Sequence, residues 1–236
     1  LQEPVARSAA APGLEGAGVV EAVGEEVTEL SPGDRVGYAA QPLGAYSQSR
    51  VMAADRVVRL PEGIDDRVAA AMMLKGMTVQ YLLRSTVALN AGDTVLFHAA
   101  AGGVGLIACQ WAKHLGVTMI GTVGSEEKAE LARAHGCTHT VLYNEENFVD
   151  RVQELTDGKG VDAVYDSVGR QTFSQSLDCL RIRGTLVLFG QSSGKVEPFD
   201  PGALAGKGSL FLTRPTLFNY TASREDLLYC ASELFD

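Results

Sequence analysis

The sequence predicts an α/β protein: a doubly wound parallel sheet preceded by a smaller β-rich segment. Three observations carry that prediction. After Asn90-Ala91-Gly92-Asp93 the chain alternates strand and helix patterns, the rhythm of βαβ crossovers. A run of small residues, Ala100-Ala101-Gly102-Gly103-Val104-Gly105, joins the first of those strands to the first helix. Ahead of them, residues 16–60 show short apolar stretches broken by turn chemistry.

In the β-rich segment, Val19 and Val20 lead to Gly24, and Ser31-Pro32-Gly33-Asp34 turns the chain before Arg35, Val36 and Tyr38. Tyr46 to Met52 reads as an alternating strand and Arg56 to Leu60 as a short one, closed by Pro61-Glu62-Gly63; together they form a meander or barrel. From Asp65 the texture is helical, with Val68, Ala71, Met72, Leu74, Val79, Leu82 and Leu83 on one stripe and Gly76 separating two helices. Strands then follow at Thr94 to His98, Val117 to Val123, His139 to Tyr143, Val161 to Ser167, Thr185 to Gly190 and Ser209 to Thr213. Helices fill the gaps at Val104 to Leu115, Glu126 to His135, Phe148 to Leu155 and Thr172 to Leu180. Ser125 is a good N-cap with Glu126 and Glu127 behind it, and Gly136 suits a left-handed C-terminal position.

Composition bounds the function. With 236 residues, 46% hydrophobic and 21% charged, the chain can bury one large core or two modest ones. Its 20 Lys and Arg against 29 Asp and Glu give a net charge of −9, which argues against nucleic-acid partners. No apolar run approaches the roughly 20 residues of a membrane span, and the first residues lack the layout of a signal peptide. A cytoplasmic location is the default. The cysteines, Cys109, Cys137, Cys179 and Cys230, form no C-x-x-C pair, so buried thiols are expected rather than a zinc knuckle or disulfide framework.

The turn at Ala100–Gly105 follows the apolar strand Val95-Leu96-Phe97-His98 and opens a helix, matching G-x-G-x-x-G with Ala at the first position. Small residues there let the chain reverse, bring backbone N–H groups to a pyrophosphate and pack the helix on the sheet, while the helix N-terminus adds partial positive charge. The alternative is a structural tight turn. After the next strand, Thr122-Val123-Gly124-Ser125 offers no carboxylate for a ribose 2′-hydroxyl. Lys128, one turn into the following helix, can reach a 2′-phosphate and Ser125 can donate to it, which favours NADPH over NADH. A solvated surface lysine is the competing reading. His98 reads as a packed strand-end residue, and Asp166 beside Gly169 as a carboxylate bonded to backbone amides.

With those residues in place, the chain resembles a zinc-independent medium-chain dehydrogenase/reductase of the NADPH:quinone oxidoreductase (zeta-crystallin-like) branch. The resemblance covers nearly the whole chain. It is carried by Gly16-Ala17-Gly18-Val19-Val20, Pro32-Gly33-Asp34-Arg35-Val36, Leu74-Lys75-Gly76-Met77-Thr78, His98 through Lys113, Tyr165-Asp166-Ser167-Val168-Gly169 and Phe189-Gly190-Gln191-Ser192-Ser193-Gly194. It implies a partial GroES-like β-barrel catalytic domain over 1–75, a Rossmann NADP(H)-binding domain over 76–236, and a homodimer through the edge strand Ser209 to Thr213. Gly103 and Val104, within the turn Gly102 to Gly105, would meet the pyrophosphate. Gly124, Ser125, Lys128 and Tyr143 would surround the 2′-phosphate, and Ser167 would lie near the adenosine. Thr78 with Phe189, Gly190, Gln191 and Ser192 would line the nicotinamide side. Against these roles, Thr78 can simply pack in a helix, Tyr143 end a strand and Phe189 fill the core.

The zinc alcohol dehydrogenases carry Gly-His-Glu, whose histidine binds the catalytic metal; here Gly13-Leu14-Glu15 places an alkyl chain there. Lacking that Lewis acid, the resemblance implies hydride transfer from NADPH to a quinone or electron-poor enone rather than alcohol oxidation. The alternatives are an enoyl or 2-alkenal reductase and a non-catalytic, crystallin-like NADPH-binding protein. The family's substrate domain has further portions before the region resembling Leu1 and after that resembling Asp236, so no catalytic residue is assigned.

Overall fold

Turn chemistry and a doubly buried run of strands give this chain two separate units. The computed structural model describes residues 11–236; one unit takes the chain up to Met77 together with Tyr220–Asp236, and the other Thr78–Asn219.

In the first unit, β1 (Glu15–Val19), β2 (Arg35–Ala39) and β3 (Val58–Arg59) form an antiparallel sheet in that order. The register places Gly16 opposite Tyr38, where any Cβ would stand 2.7 Å from the phenol oxygen, so only glycine fits. The connecting turn closes through the Ser31 N–H on Asp34 Oδ2 at 2.8 Å, with Gly33 at φ +97°. Beneath the sheet Leu30, Val36 and Val57 make a small core. Helix α1 (Asp66–Gln80) starts where Asp65 Oδ1 accepts the Arg67 N–H at 2.8 Å, and Arg35 Nε on Asp66 Oδ1 at 2.9 Å ties β2 to that first turn.

Three expectations for this region are corrected. Tyr46 to Met52 is not a strand: Tyr46 and Val51 are both exposed, the Tyr46 N–H bonds the Pro12 carbonyl, and among the described residues the segment has no ladder partner. Gly76 does not separate two helices. Helix α1 runs through it and passes into a π-helical turn at Tyr81–Thr86, because the missing Cβ makes room for the Leu234 side chain. Residues 220–236 group with the N-terminal unit rather than with 76–236. The C-terminal helix Arg224–Phe235 is tied there by Arg224 Nη1 on the Val57 carbonyl at 2.5 Å and by Cys230 Sγ on the Met77 carbonyl at 3.6 Å.

The second unit holds six parallel strands: β4 (Thr94–Phe97), β5 (Thr118–Val123), β6 (His139–Leu142), β7 (Val161–Asp166), β8 (Leu180–Leu188) and β9 (Phe211–Thr213), in the order β6-β5-β4-β7-β8-β9. The crossover helices are α2 (Gly103–Leu115), α3 (Glu126–Ala134), α4 (Phe148–Leu155) and α5 (Phe173–Asp178). Val95, Leu96 and Phe97 are all buried, as a strand covered on both faces requires, each contributing on the order of 1.5–3 kcal/mol of burial. Helix α3 carries the expected caps: Ser125 Oγ accepts the Lys128 N–H, and Gly136 sits at φ +104°. Strand β8 starts earlier than expected, at Leu180, and ends the preceding helix at Asp178. Leu180 pairs with Val161 across a register shift, beside Gly160 at φ +77°, whose Cβ would meet the Arg181 nitrogen at 2.7 Å. Strand β9 pairs only with β8 and is a sheet edge.

Candidate functional site

Strand β4 has β5 on one side and β7 on the other, so consecutive crossovers leave it in opposite directions and a crevice opens beyond the strands' carboxyl ends. A cavity of about 820 Å³ lies there, lined from residues following β4, β5, β6, β7 and β8.

The turn after β4 is tightly built. Ala99 takes a left-handed φ of +58°, its carbonyl accepts the Gly102 N–H at 2.9 Å, and the Ala100 N–H reaches the Thr122 carbonyl at 3.1 Å. A Cβ on Gly105 would stand 2.5 Å from both the Ala99 and Ala100 carbonyl oxygens, so the first turn of α2 lies as close to the loop as backbone allows. Gly102 is the N-cap and no side chain caps the helix, leaving its first amides and the positive end of its dipole for an anion.

Beyond β5, Gly124 gives room for Tyr143: a Cβ would meet the phenol oxygen at 2.7 Å, and Asn144 Nδ2 donates to the Gly124 carbonyl at 3.0 Å. Lys128 projects from the first turn of α3 into the same cavity. Two neighbouring carboxylates are engaged by other groups. Glu126 pairs with Arg133, while Glu146, which also lines the cavity, pairs with Arg151 Nε at 3.0 Å and accepts the Leu142 N–H at 3.2 Å.

A polar cluster borders the cavity, with His98, Thr122 and Thr172 among the lining residues and Asp166 and Ser176 buried behind them. Asp166 Oδ1 accepts the Val168 N–H at 2.8 Å and the Gly169 N–H at 3.0 Å, and Thr172 Oγ1 and Ser176 Oγ reach Oδ2 at 2.7 and 3.0 Å. His98 touches Ser176 Oγ through Nε2 and Thr122 Oγ1 through Nδ1, both at 3.0 Å, with the Phe148 ring edge-on at 5.0 Å. Burial pushes the imidazole down from 6.5 to about 4 despite the Asp166 charge, so it is neutral at physiological pH. His98 is thus a packed strand-end residue and Asp166 bonds backbone amides, as the sequence leads one to expect.

Of the residues expected to hold a cofactor, Gly102, Gly124, Lys128, Tyr143 and Ser192 line the cavity together. Gly103, Val104 and Gly105 form the first turn of α2 and Ser125 caps α3, next to the lining residues rather than among them. Ser167 accepts the Ser192 N–H on its carbonyl at 3.1 Å, and Gly190 packs on it so closely that a Cβ would lie 2.5 Å from that oxygen. Gln191 continues the same loop, while Phe189 sets its ring 5.6 Å from Phe97, half-buried. Thr78 lies in α1 and does not line the cavity. Sequence reasoning missed Glu146, Asn147, Gln171, Thr172 and Gln175, which enter from the loops after β6 and β7. The available signal was position alone: each follows the carboxyl end of a parallel strand. All four cysteines are free and buried, and a hydrogen bond donated to Cys137 together with burial holds Cys109 as a thiol. Among the described residues no group of three or more His, Cys, Asp or Glu is arranged to hold a metal ion.

Comparison with known proteins matches this architecture. Residues 103–228 fit the family model described as zinc-binding dehydrogenase, and residues 2–62 that described as the alcohol dehydrogenase GroES-like domain. A quinone oxidoreductase of Pseudomonas aeruginosa is 60% identical over 223 residues, covering 94% of this chain and 69% of the relative. The chain belongs to the quinone oxidoreductases of the medium-chain dehydrogenase/reductase family. Another member, a 2-haloacrylate reductase of Burkholderia, is 49% identical across 95% of this chain and 68% of its own length. The crystal structure of an Escherichia coli quinone oxidoreductase complexed with NADPH superposes with a TM-score of 0.92 at 51% identity, covering 95% of this chain and 69% of that one. The partial GroES-like domain and the Rossmann domain expected from the sequence are therefore those of this family. Although the matching model is named for zinc, Leu14 presents no donor atom where the family's zinc members carry histidine.

Proposed function

We propose that this chain acts as a zinc-independent quinone reductase, which binds NADPH and passes hydride from it to a quinone. The observation that carries this reading is the cavity at the carboxyl ends of β4 and β5, where a side-chain-free helix N-terminus and the Lys128 ammonium face one space while Glu126 and Glu146 are paired with arginines. The residues fit such a cofactor. Gly105 lets the first turn of α2 close onto the Ala99 and Ala100 carbonyl oxygens, and Gly124 lets the Tyr143 phenol close onto the end of β5, so that bare backbone amides face the space a diphosphate would take and the phenol borders the space an adenosine would take. Bound there, NADPH would supply the hydride.

The chain's own contribution is positioning. The amides of Gly103, Val104 and Gly105 would hold the pyrophosphate, with the Gly102 N–H spent on the Ala99 carbonyl, while Lys128, Ser125 and Tyr143 would read the 2′-phosphate over Gly124. Ser167 and the loop Phe189, Gly190, Gln191 and Ser192 border the remainder of the cofactor, with Thr78 on its nicotinamide side. Incubation with NADPH and phenanthrenequinone should consume the reduced nicotinamide absorbance; tight NADPH binding without turnover on any quinone or enone would leave only the crystallin-like role. A second acceptor class, activated alkenes, is supported by the likeness to a 2-haloacrylate reductase. Turnover of an α,β-unsaturated acid or thioester with none on quinones would make the enzyme an enoyl-type reductase.

We also propose a homodimer through the open edge of β9, at Ser209 to Thr213, and a cytoplasmic location. An unpaired parallel edge with exposed Phe211 supports the first. For the second, composition is the support, and no described helix is long and apolar enough to cross a membrane. A monomer by sedimentation velocity, or recovery of the native protein with membranes or outside the cell, would overturn each in turn.

A further inference from the structure

We infer that Thr122, His98 and Ser176 form a one-way hydrogen-bond relay, anchored on Asp166, that positions the cofactor's phosphate turn through the Ala99 amide. The direction follows from which groups can donate. Asp166, as a carboxylate, only accepts, so the Ser176 hydroxyl proton points to Asp166 Oδ2 at 3.0 Å. With that proton committed, Ser176 Oγ must accept from His98 Nε2 at 3.0 Å, which fixes the imidazole as the Nε2–H tautomer. Nδ1 is then a bare acceptor and takes the Thr122 hydroxyl proton at 3.0 Å. Thr122 Oγ1, having donated, is left to accept the Ala99 N–H at 3.4 Å. Any other proton arrangement sets two lone pairs or two protons against each other inside a buried cluster, where no water compensates them.

The far end of the relay matters because Ala99 is where the phosphate turn is strained. A non-glycine residue at φ +58° persists only when its surroundings hold it, and Thr122 holds it twice, by the hydroxyl on the Ala99 N–H and by its carbonyl on the Ala100 N–H. The Ala99 carbonyl in turn accepts from Gly102 and bounds the space beside Gly105, so a rotation at Ala99 moves the helix amides that face the diphosphate. Neutral His98 and the edge-on Phe148 ring keep the middle of the chain from turning. Thr122, His98, Ser176 and Asp166 are positioning residues; none needs to touch the reacting atoms.

This inference rests on the NADPH reading, and its test separates the two. In the protein as it stands, nitrogen chemical shifts of the His98 ring should report protonation at Nε2 and a bare Nδ1; the opposite tautomer overturns the relay whether or not NADPH binds. Thr122→Val keeps the shape and removes both hydroxyl bonds. It should raise the NADPH KM about tenfold while kcat at saturating NADPH and the quinone KM stay within about twofold, and Thr122→Ser should restore the NADPH KM. Ser176→Ala should act in the same direction. If the parent protein oxidises NADPH but Thr122→Val and Ser176→Ala leave its KM unchanged, the relay is refuted and the function stands. If the parent protein binds no NADPH, the functional reading fails first.

Discussion

Replacing Lys128 by Ala should remove most of the preference for NADPH over NADH. Lys128 rises from the first turn of α3 into the cavity shared by Gly124 and Tyr143, and Glu126 and Glu146 are engaged by Arg133 and Arg151. A hydrogen bond to a charged group is worth roughly 1.5–3 kcal/mol. Because Lys128 is exposed and its cleft is open to water, the lower end applies, and about 1.4 kcal/mol corresponds to about tenfold in affinity. Titrating the protein's fluorescence with each cofactor should therefore show Lys128→Ala weakening NADPH about tenfold and NADH by less than about twofold. Lys128→Arg should keep the preference, and raising the salt should shrink the difference, as screening requires. An equal loss for both cofactors, or none for either, would refute the assignment of Lys128 to the 2′-phosphate.

Three other outcomes follow from the same structure. The buried His98 protonates near 6.5 when unfolded but only near 4 when folded, so the unfolded chain holds the extra proton between those values and stability falls as the pH drops through that window. Urea unfolding should show a loss approaching about 3 kcal/mol across it, and His98→Gln should flatten that slope; parallel pH profiles would refute the burial argument. Gly105→Ala should cost about 1–3 kcal/mol in thermal unfolding and at least about tenfold in NADPH binding, since its Cβ meets two backbone oxygens at 2.5 Å; unchanged melting and binding would mean the turn yields freely. Phe211→Lys places a charge on the β9 edge and should shift the protein to monomer in sedimentation velocity; an unaltered dimer would locate the interface elsewhere.

The parallel sheet was legible because strands buried on both faces read as continuous apolar runs, as Val95-Leu96-Phe97 does, and because Ser125 and Gly136 mark the ends of α3 by local chemistry. The phosphate turn was legible for the same reason: closeness of approach is written as missing side chains. What escaped depends on distant partners. Alternation from Tyr46 to Met52 could not reveal that no strand among the described residues lies beside it, and Gly76 looks like a helix breaker until Leu234 fills the space it leaves. The placement of residues 220–236 depends on links such as the Arg224 guanidinium reaching carbonyls at Asp55 and Val57 and Cys230 reaching Met77, which no local pattern announces. Glu146, Gln171 and Gln175 meet in one cavity only because the strand order brings the loops after β6 and β7 to the same rim.

Quinones are soft electrophiles that alkylate thiolates, so a protein that works on them risks being consumed by its own substrate. Here every cysteine is enclosed: burial pushes Cys179 and Cys230 up to about 12, and Cys137, which the Cys109 hydrogen bond draws below the usual thiol range, is shielded by burial alone. The fold thereby withholds a nucleophile from the compounds it is built to reduce, and repeated turnover at high quinone concentration should leave the protein free of covalent adducts at these four positions.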